Sequence, residues 1–503
     1  DMITNGKLCV PFALMNKEKN LEDNNLGATL QTLVEKLKEP DKKVLYYKGY
    51  GHMGVMQNIP KHFFNKIGAT IATGSTCDEA GEAGIVMGRH CNVNPDIEDL
   101  LHSDVIIVWG KNFTVTSNHI YNMVQDKTFI TIDPNRTKIA SLSDTFLQIK
   151  PKGDFVLASC ILKYIQTNEI DEDTLGSINI KKRDFLLLVD ALQNKKVSVM
   201  LGIGAQKYKE GAQIFHQIDK VFEVLGFYKG RNDKVWYIGN GRYRFNDVIN
   251  KIDVQNTCEY ADINFDKYDI VFIQAANPII TAMNSNRIKK ELKNTYVIVM
   301  GTRDDETVKF ADLIIPAKTY LQKKDVRLAY SHDEINEFEV CEETNNAISE
   351  YELTQFLFDA FGLDGLLNED EYLSHYKKTI REKPQKLEFT NHNFDEVESL
   401  ELKENEAYFL TSKTNKNLNS QFNADEYCYV HPSLNFNDDE LISLKSDITE
   451  ITLRVKNDET VFPNAVLCYA GNKKINQIIP NIVSDYGANG SFQDFIIKVN
   501  KVV

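Results

Sequence analysis

The sequence predicts an α/β protein, two doubly wound Rossmann-like domains followed by a small β-rich domain at the C-terminus. Two patterns carry that expectation. Through most of the chain, apolar runs of four or five residues end in Gly, Asn, Asp or Pro and are followed by segments of helical length. From Tyr408 the character changes to short strands separated by turn residues. At 503 residues the chain is also too long for one core, and about three domains are expected.

In chain order, Leu30, Leu33 and Leu37 mark an amphipathic helix over Leu26–Leu37. Val44–Tyr47 reads as a strand ending in Gly49-Tyr50-Gly51-His52-Met53-Gly54, and a helix follows over Val55–Lys66. A Gly-rich turn before a helix presents backbone N–H groups to a phosphate. An NAD-type site would want an acidic residue ending the next strand, and Ile71–Cys77 offers none there. Cys77 opens a Cys-Asp-Glu-Ala-Gly-Glu-Ala-Gly stretch. A helix start favours its thiolate, whereas Asp78, Glu79 and Glu82 oppose it. A small buried hydrophobe is the alternative role for this cysteine.

Val105–Trp109 stops at Gly110-Lys111-Asn112, and Phe129–Ile132 stops at Asp133-Pro134-Asn135-Arg136-Thr137. The two runs, with a polar helical segment between them, read as a βαβ unit whose ligand end lies beyond the strand tips. Gly110 lets a backbone approach a ligand, the Asp133 carboxylate suits a purine N–H pair, and the Arg136 guanidinium suits a phosphate. Ordinary strand-end caps are the alternative. Further strands are expected at Val197–Gly204, Ile270–Ile273, Tyr296–Met300 and Leu313–Ile315. Residues 364–406 turn acidic and read as a linker. The strands Tyr408–Thr411, Glu450–Val455, Ala465–Tyr469 and Phe495–Val499 make up the last domain.

Composition removes several classes of function. A net charge of −14 argues against nucleic acid as a partner. The apolar runs fall far short of the ~20 residues a membrane span requires, so membrane association would go through a partner. The eight cysteines are scattered with no CxxC, so neither a zinc site nor an iron–sulfur loop is read here, and the scatter suits a reducing compartment. No HExxH or Ser/His/Asp order occurs, and His119 and His332 read as solvated.

Several motifs together resemble the molybdopterin oxidoreductases of the dimethyl-sulfoxide-reductase type. They are Val-Trp-Gly-Lys-Asn at Val108–Asn112, Ile-Asp-Pro-Asn-Arg-Thr at Ile132–Thr137, and Ile-Lys-Pro-Lys-Gly-Asp at Ile149–Asp154. Ala276–Pro278, Glu306–Asp312, Ile314–Ala317 and the stretch Asn476–Gly490 continue the series. The resemblance implies one discontinuous α/β domain (42–73 and 195–362), a second inserted at 74–194, an acidic linker at 363–406 and a β-barrel at 407–503, with residues 1–41 an N-terminal remnant. It implies molybdopterin guanine dinucleotide carrying Mo or W. Gly110 would lie at that nucleotide, Asn112 and Asp133 would face its guanosine with Arg136 nearby, and Lys150 and Asp154 would hold the same dinucleotide. Asn277 and Thr307 would line a second one. Cys77 falls where many members place the metal's protein ligand.

The departures are equally specific. Of the iron–sulfur domain usual in active members only Cys9 remains, and Asp78 stands where formate dehydrogenases carry His. One branch often lacks the pterin: the C-terminal domain that follows the iron–sulfur domains in a peripheral-arm component of bacterial NADH–quinone oxidoreductase (respiratory complex I). The stretch Gly68–Gly84 resembles that branch. Two readings follow. The first is such a domain in a cytoplasmic electron-transfer arm, peripheral to the inner membrane, with the iron–sulfur clusters upstream or in partner subunits and no cofactor of its own. The second is a working Mo or W enzyme with Cys77 as ligand and an iron–sulfur partner.

Overall fold

A computed structural model describes residues 26–52, 54–92, 94–229, 233–237, 252–328, 335–377, 388–414 and 426–502. Cys9, Met53 and His332 lie outside the described residues. The chain divides into two compact units, one drawn from residues up to Thr73 with 252–328 and 335–377, the other from Gly74 to Tyr237 with 388–414 and 426–502.

The first unit is built on six parallel strands. Their order is Leu313–Pro316, Tyr296–Gly301, Ile270–Gln274, Val44–Lys48, Thr70–Thr73 and Thr257–Glu259. Ile270–Gln274 is buried throughout, as a central parallel strand covered on both faces must be. One face packs Tyr46, Phe272 and Ile298 against Leu33, Phe63, Phe64 and Leu357 of helices. The other packs Val271, Ile273 and Val299 against Phe265, Ile279 and Ile288. The helix Glu369–Lys377, expected to be part of a linker, buries Tyr372, Leu373 and Tyr376 against Met56, Ile59 and Val326.

The second unit contains five parallel strands in the order Thr145–Gln148, Thr128–Asp133, Val105–Trp109, Val197–Leu201 and Lys234–Tyr237. Here the expected boundary at residue 195 is corrected. Val197–Leu201 pairs with Val105–Trp109, so the strand following residue 195 belongs to this sheet and not to the other. The helices Asp154–Thr167 and Gly211–Val224 cover one face through Leu157, Ile161, Ile214 and Ile218.

The same unit carries a closed six-stranded barrel in the order Glu406–Ser412, Ala465–Tyr469, Tyr427–Val430, Glu450–Asn457, Leu441–Lys445 and Ile496–Lys501. Along Glu450–Asn457 the buried residues alternate with accessible ones, the period of a strand with one face inside. Residues 388–400 do not behave as a solvated linker. Phe389 lies against Gly88, the Thr390 N–H donates to the Gly88 carbonyl at 2.9 Å, and Val397 joins the core.

Candidate functional site

In each open sheet the chain reverses direction of growth at one point, where strand tips diverge and leave room for a ligand. In the second unit this point lies between Val105–Trp109 and Val197–Leu201. Gly110, at φ 63, donates its N–H to the Ile132 carbonyl at 2.8 Å, and the Gly202 N–H donates to the Trp109 carbonyl at 2.8 Å. A Cβ on Gly202 would overlap the Gly110 carbonyl oxygen, so the two backbones cross only because glycine stands there.

Around this crossing lie four of the residues expected from the sequence, Gly110, Asn112, Asp133 and Asp154. Asp133 ends the neighbouring strand and accepts from the Asn135 N–H at 2.9 Å. Burial pushes its carboxyl up to about 7 against that hydrogen bond, and the charge of Asp154 adds to the rise. Asp154 opens its helix and accepts from the Trp109 indole N–H at 2.7 Å; burial pushes it up to about 6. Asn112 accepts from the Thr114 hydroxyl at 2.7 Å. Two expected residues point elsewhere. Lys150 pairs with Glu401 at 2.9 Å, and the exposed Arg136 guanidinium lies 4.6 Å over the Phe146 ring.

Cys77 sits in the turn before the helix Glu79–Arg89. Its N–H donates to the Ser75 hydroxyl at 2.9 Å, and Ser75 in turn bridges to Asn489, which precedes the last barrel strand. Burial, with the Asp78 charge next, pushes the thiol up to about 12, so it is protonated at neutral pH. Sequence reasoning missed the residues that surround it. Gln206 donates its amide N–H to the Cys77 carbonyl, and Lys207 donates to the carbonyl and hydroxyl of Thr411 at 2.8 and 3.1 Å. Burial brings Lys207 down to about 8, helped by the charge of Lys413, while Cys77 and Asp133 oppose the shift. Their signal was the Gly202-Ile203-Gly204 turn, a strand tip that begins with glycine as Gly110–Asn112 does. Lys152 fastens the 150–154 turn through Glu210 and Asp494, each at 2.8 Å.

The corresponding tips of the first unit look different. The Gly49 N–H donates to the Gln274 carbonyl at 2.8 Å, and a Cβ there would overlap the Ala275 carbonyl oxygen. Asn277 and Thr307, both expected at a ligand, bond each other at 2.7 Å, and Asn277 also donates to Glu306 at 3.3 Å. Buried Asp325 accepts from the N–H groups of Met56 and Val326 at 3.0 and 2.8 Å and lies 3.1 Å from His52 Nε2.

Among the described residues no group of three or more His, Cys, Asp or Glu side chains is placed to hold a metal ion. Asn489 Oδ1 and Ser491 Oγ, on the segment that meets the Cys77 turn, are buried without hydrogen-bond partners among the described residues. Such atoms carry a cost that a polar ligand would relieve.

Comparison with known proteins places this arrangement. The family model described as molybdopterin oxidoreductase matches residues 28–359. The chain is 23% identical to "Probable oxidoreductase YoaE" of Bacillus subtilis, over 67% of this chain and 56% of that one. It is 24% identical to the assimilatory nitrate reductase catalytic subunit of the same organism, over 48% of this chain and 43% of that one. The chain thus spans about half the length of the curated relatives it matches. Acetylene hydratase from Pelobacter acetylenicus shares the fold with a TM-score of 0.74 over 98% of this chain and 92% of that one, at 13% identity. With two thirds of its length covered by that model, and the strand-tip motifs in place, the chain belongs to the molybdopterin oxidoreductase family.

Proposed function

We propose that this chain holds a molybdenum or tungsten pterin as its guanine dinucleotide and serves as the two-electron module of an oxidoreductase. The supporting observation is the cluster at the second unit's switch point. A thiol, a lysine that donates to the carbonyl and hydroxyl of Thr411 and a carboxyl that accepts from a backbone N–H meet there beside a glycine at φ 63. In this reading Gly110 gives the nucleotide room, Asn112 and Asp133 take the guanine edge, and Lys207 faces the negative charge of the dinucleotide. Asp154 is committed to Trp109 and holds the strand tip in place. Lys150 swings from Glu401, a move of small cost because Glu401 is 76% exposed. Arg136 lies at the rim, Asn277 and Thr307 line the second dinucleotide, and Cys77 gives the metal its protein ligand. The bound metal supplies the redox chemistry, while the protein's residues orient the group and set its surroundings.

The test is metal and nucleotide analysis of the chain produced in cells that make the cofactor. Mo or W near one per chain in the wild type, lowered at least ~10-fold by Cys77→Ala, is the expected result. A wild-type protein without metal overturns this reading.

A second reading has an observation in its favour. Asn112–Thr114, Lys150–Glu401 and Asn277–Thr307 satisfy one another without a ligand. That is what a domain retaining the fold alone requires. In this reading the chain is part of the electron-transfer arm of a respiratory NADH–quinone oxidoreductase of the complex I type. Electrons would pass to quinone through iron–sulfur clusters outside these residues, and partner subunits would hold the chain at the inner membrane. Among the described residues no helix is long and apolar enough to cross a membrane. Metal-free protein that copurifies with iron–sulfur and quinone-reactive subunits supports this reading; metal-loaded protein purified without them contradicts it.

A further inference from the structure

We propose that Gln206 and Tyr237 are positioning residues that fix the direction of the Cys77 thiol. The inference rests on the reading that Cys77 is the metal's protein ligand. Cys77 lies in a turn outside regular structure, so the backbone from Ser75 to Gly81 decides where its sulfur points. Two side chains from the tips of adjacent strands hold that backbone from below. The Gln206 amide donates to the Cys77 carbonyl and accepts from the Gly81 N–H, gripping the turn on both sides of the helix start. The Tyr237 hydroxyl donates to the Asp78 carbonyl at 2.7 Å and lies 3.0 Å from Gln206 Oε1. Both side chains are fully buried. A Cβ on Gly81 would overlap the Tyr237 hydroxyl, so the helix start rests directly on the phenol.

The geometry does more than fill a core. Gln206 is followed directly by Lys207, so one turn supplies both the holder of the Cys77 loop and the cation facing it. If Gln206 loses its amide, a part-buried carbonyl and a buried N–H lose their partners together, and each unpaired group carries a penalty. The loop escapes that penalty by moving to water, and the thiol moves with it.

The experiment compares full-length wild type with Gln206→Leu and Tyr237→Phe. In metal-free protein, iodoacetamide labelling followed at peptide level gives the rate at Cys77 against Cys91 and Cys160 in the same sample. We expect the Cys77 rate to rise about tenfold in Gln206→Leu and about threefold in Tyr237→Phe, with the other two rates unchanged. In molybdenum-loaded protein, the electron paramagnetic resonance g-values shift in the same order. A Cys77 rate within about twofold of wild type in both variants, or Cys91 and Cys160 rising in step with it, overturns the proposal. If Gln206→Leu does not fold, Tyr237→Phe, which removes one oxygen, carries the test alone. A Cys77→Ala protein that keeps its metal and resonance rejects the ligand reading, and the labelling of metal-free protein is read independently of that result.

Discussion

The two sheets carry the same device at their switch points and use it differently. In each, a glycine after one strand donates to the neighbouring strand and leaves no space for a Cβ: Gly49 against Ala275, Gly202 against Gly110. In the first unit the side chains around the crossing pair with one another, as Asp325 with His52 and Asn277 with Thr307 show, although burial also brings Lys48 down to about 8 and Asp305 up to about 6. In the second, Asp133, Lys207 and Cys77 are held away from their ordinary ionisation by burial. In the proposed function, the groups kept at a cost in stability around Cys77, where apolar residues would pack more cheaply, are the ones a ligand would repay.

The shared part of the comparison should break most severely. Gly202→Ala and Gly49→Ala force two backbones apart, and each is expected to lower stability by about 3 kcal/mol or more in denaturant unfolding. The next effect separates the two sites. Asp325→Ala strips the acceptor from two buried N–H groups and from His52, and should cost about 3 kcal/mol. Asp133→Asn should go the other way and raise stability by about 1 kcal/mol near pH 8, because it removes a carboxylate that the fold disfavours. Equal losses from both would remove the distinction.

The pH dependence sharpens the same point. A carboxyl raised to about 7 binds its proton more tightly folded than unfolded, so its contribution is full below about pH 4 and is lost as pH rises to about 7. Stability of the wild type should fall through that window, and Asp133→Asn should flatten the slope; an unchanged slope assigns it to other groups. Smallest of all, Lys150→Ala removes an ion pair with a well-exposed partner and should change stability by less than about 0.5 kcal/mol.

The strands at the centre of both sheets were legible because residues buried on two faces make unbroken apolar runs, as in Val105–Trp109. Gly110 and Asp133 were legible as strand tips. The sheet that Val197–Leu201 joins was not, because periodicity describes a strand and is silent about its neighbour. Lys234–Tyr237 and two barrel strands, Tyr427–Val430 and Leu441–Lys445, were missed because each is only four or five residues long. Gln206 and Tyr237 act on a turn more than a hundred residues away in sequence, and no local pattern announces such a contact. The directions of Lys150 and Arg136 likewise depend on Glu401 and Phe146, which only the fold brings near.

The most direct measurement is the guanine nucleotide released by acid from the purified full-length chain, compared between wild type and Asp133→Ala. The proposed cofactor predicts nucleotide in proportion to protein for the wild type and at least ~10-fold less for the variant. Equal release from both, or none from the wild type, contradicts a guanine site at the second unit's switch point.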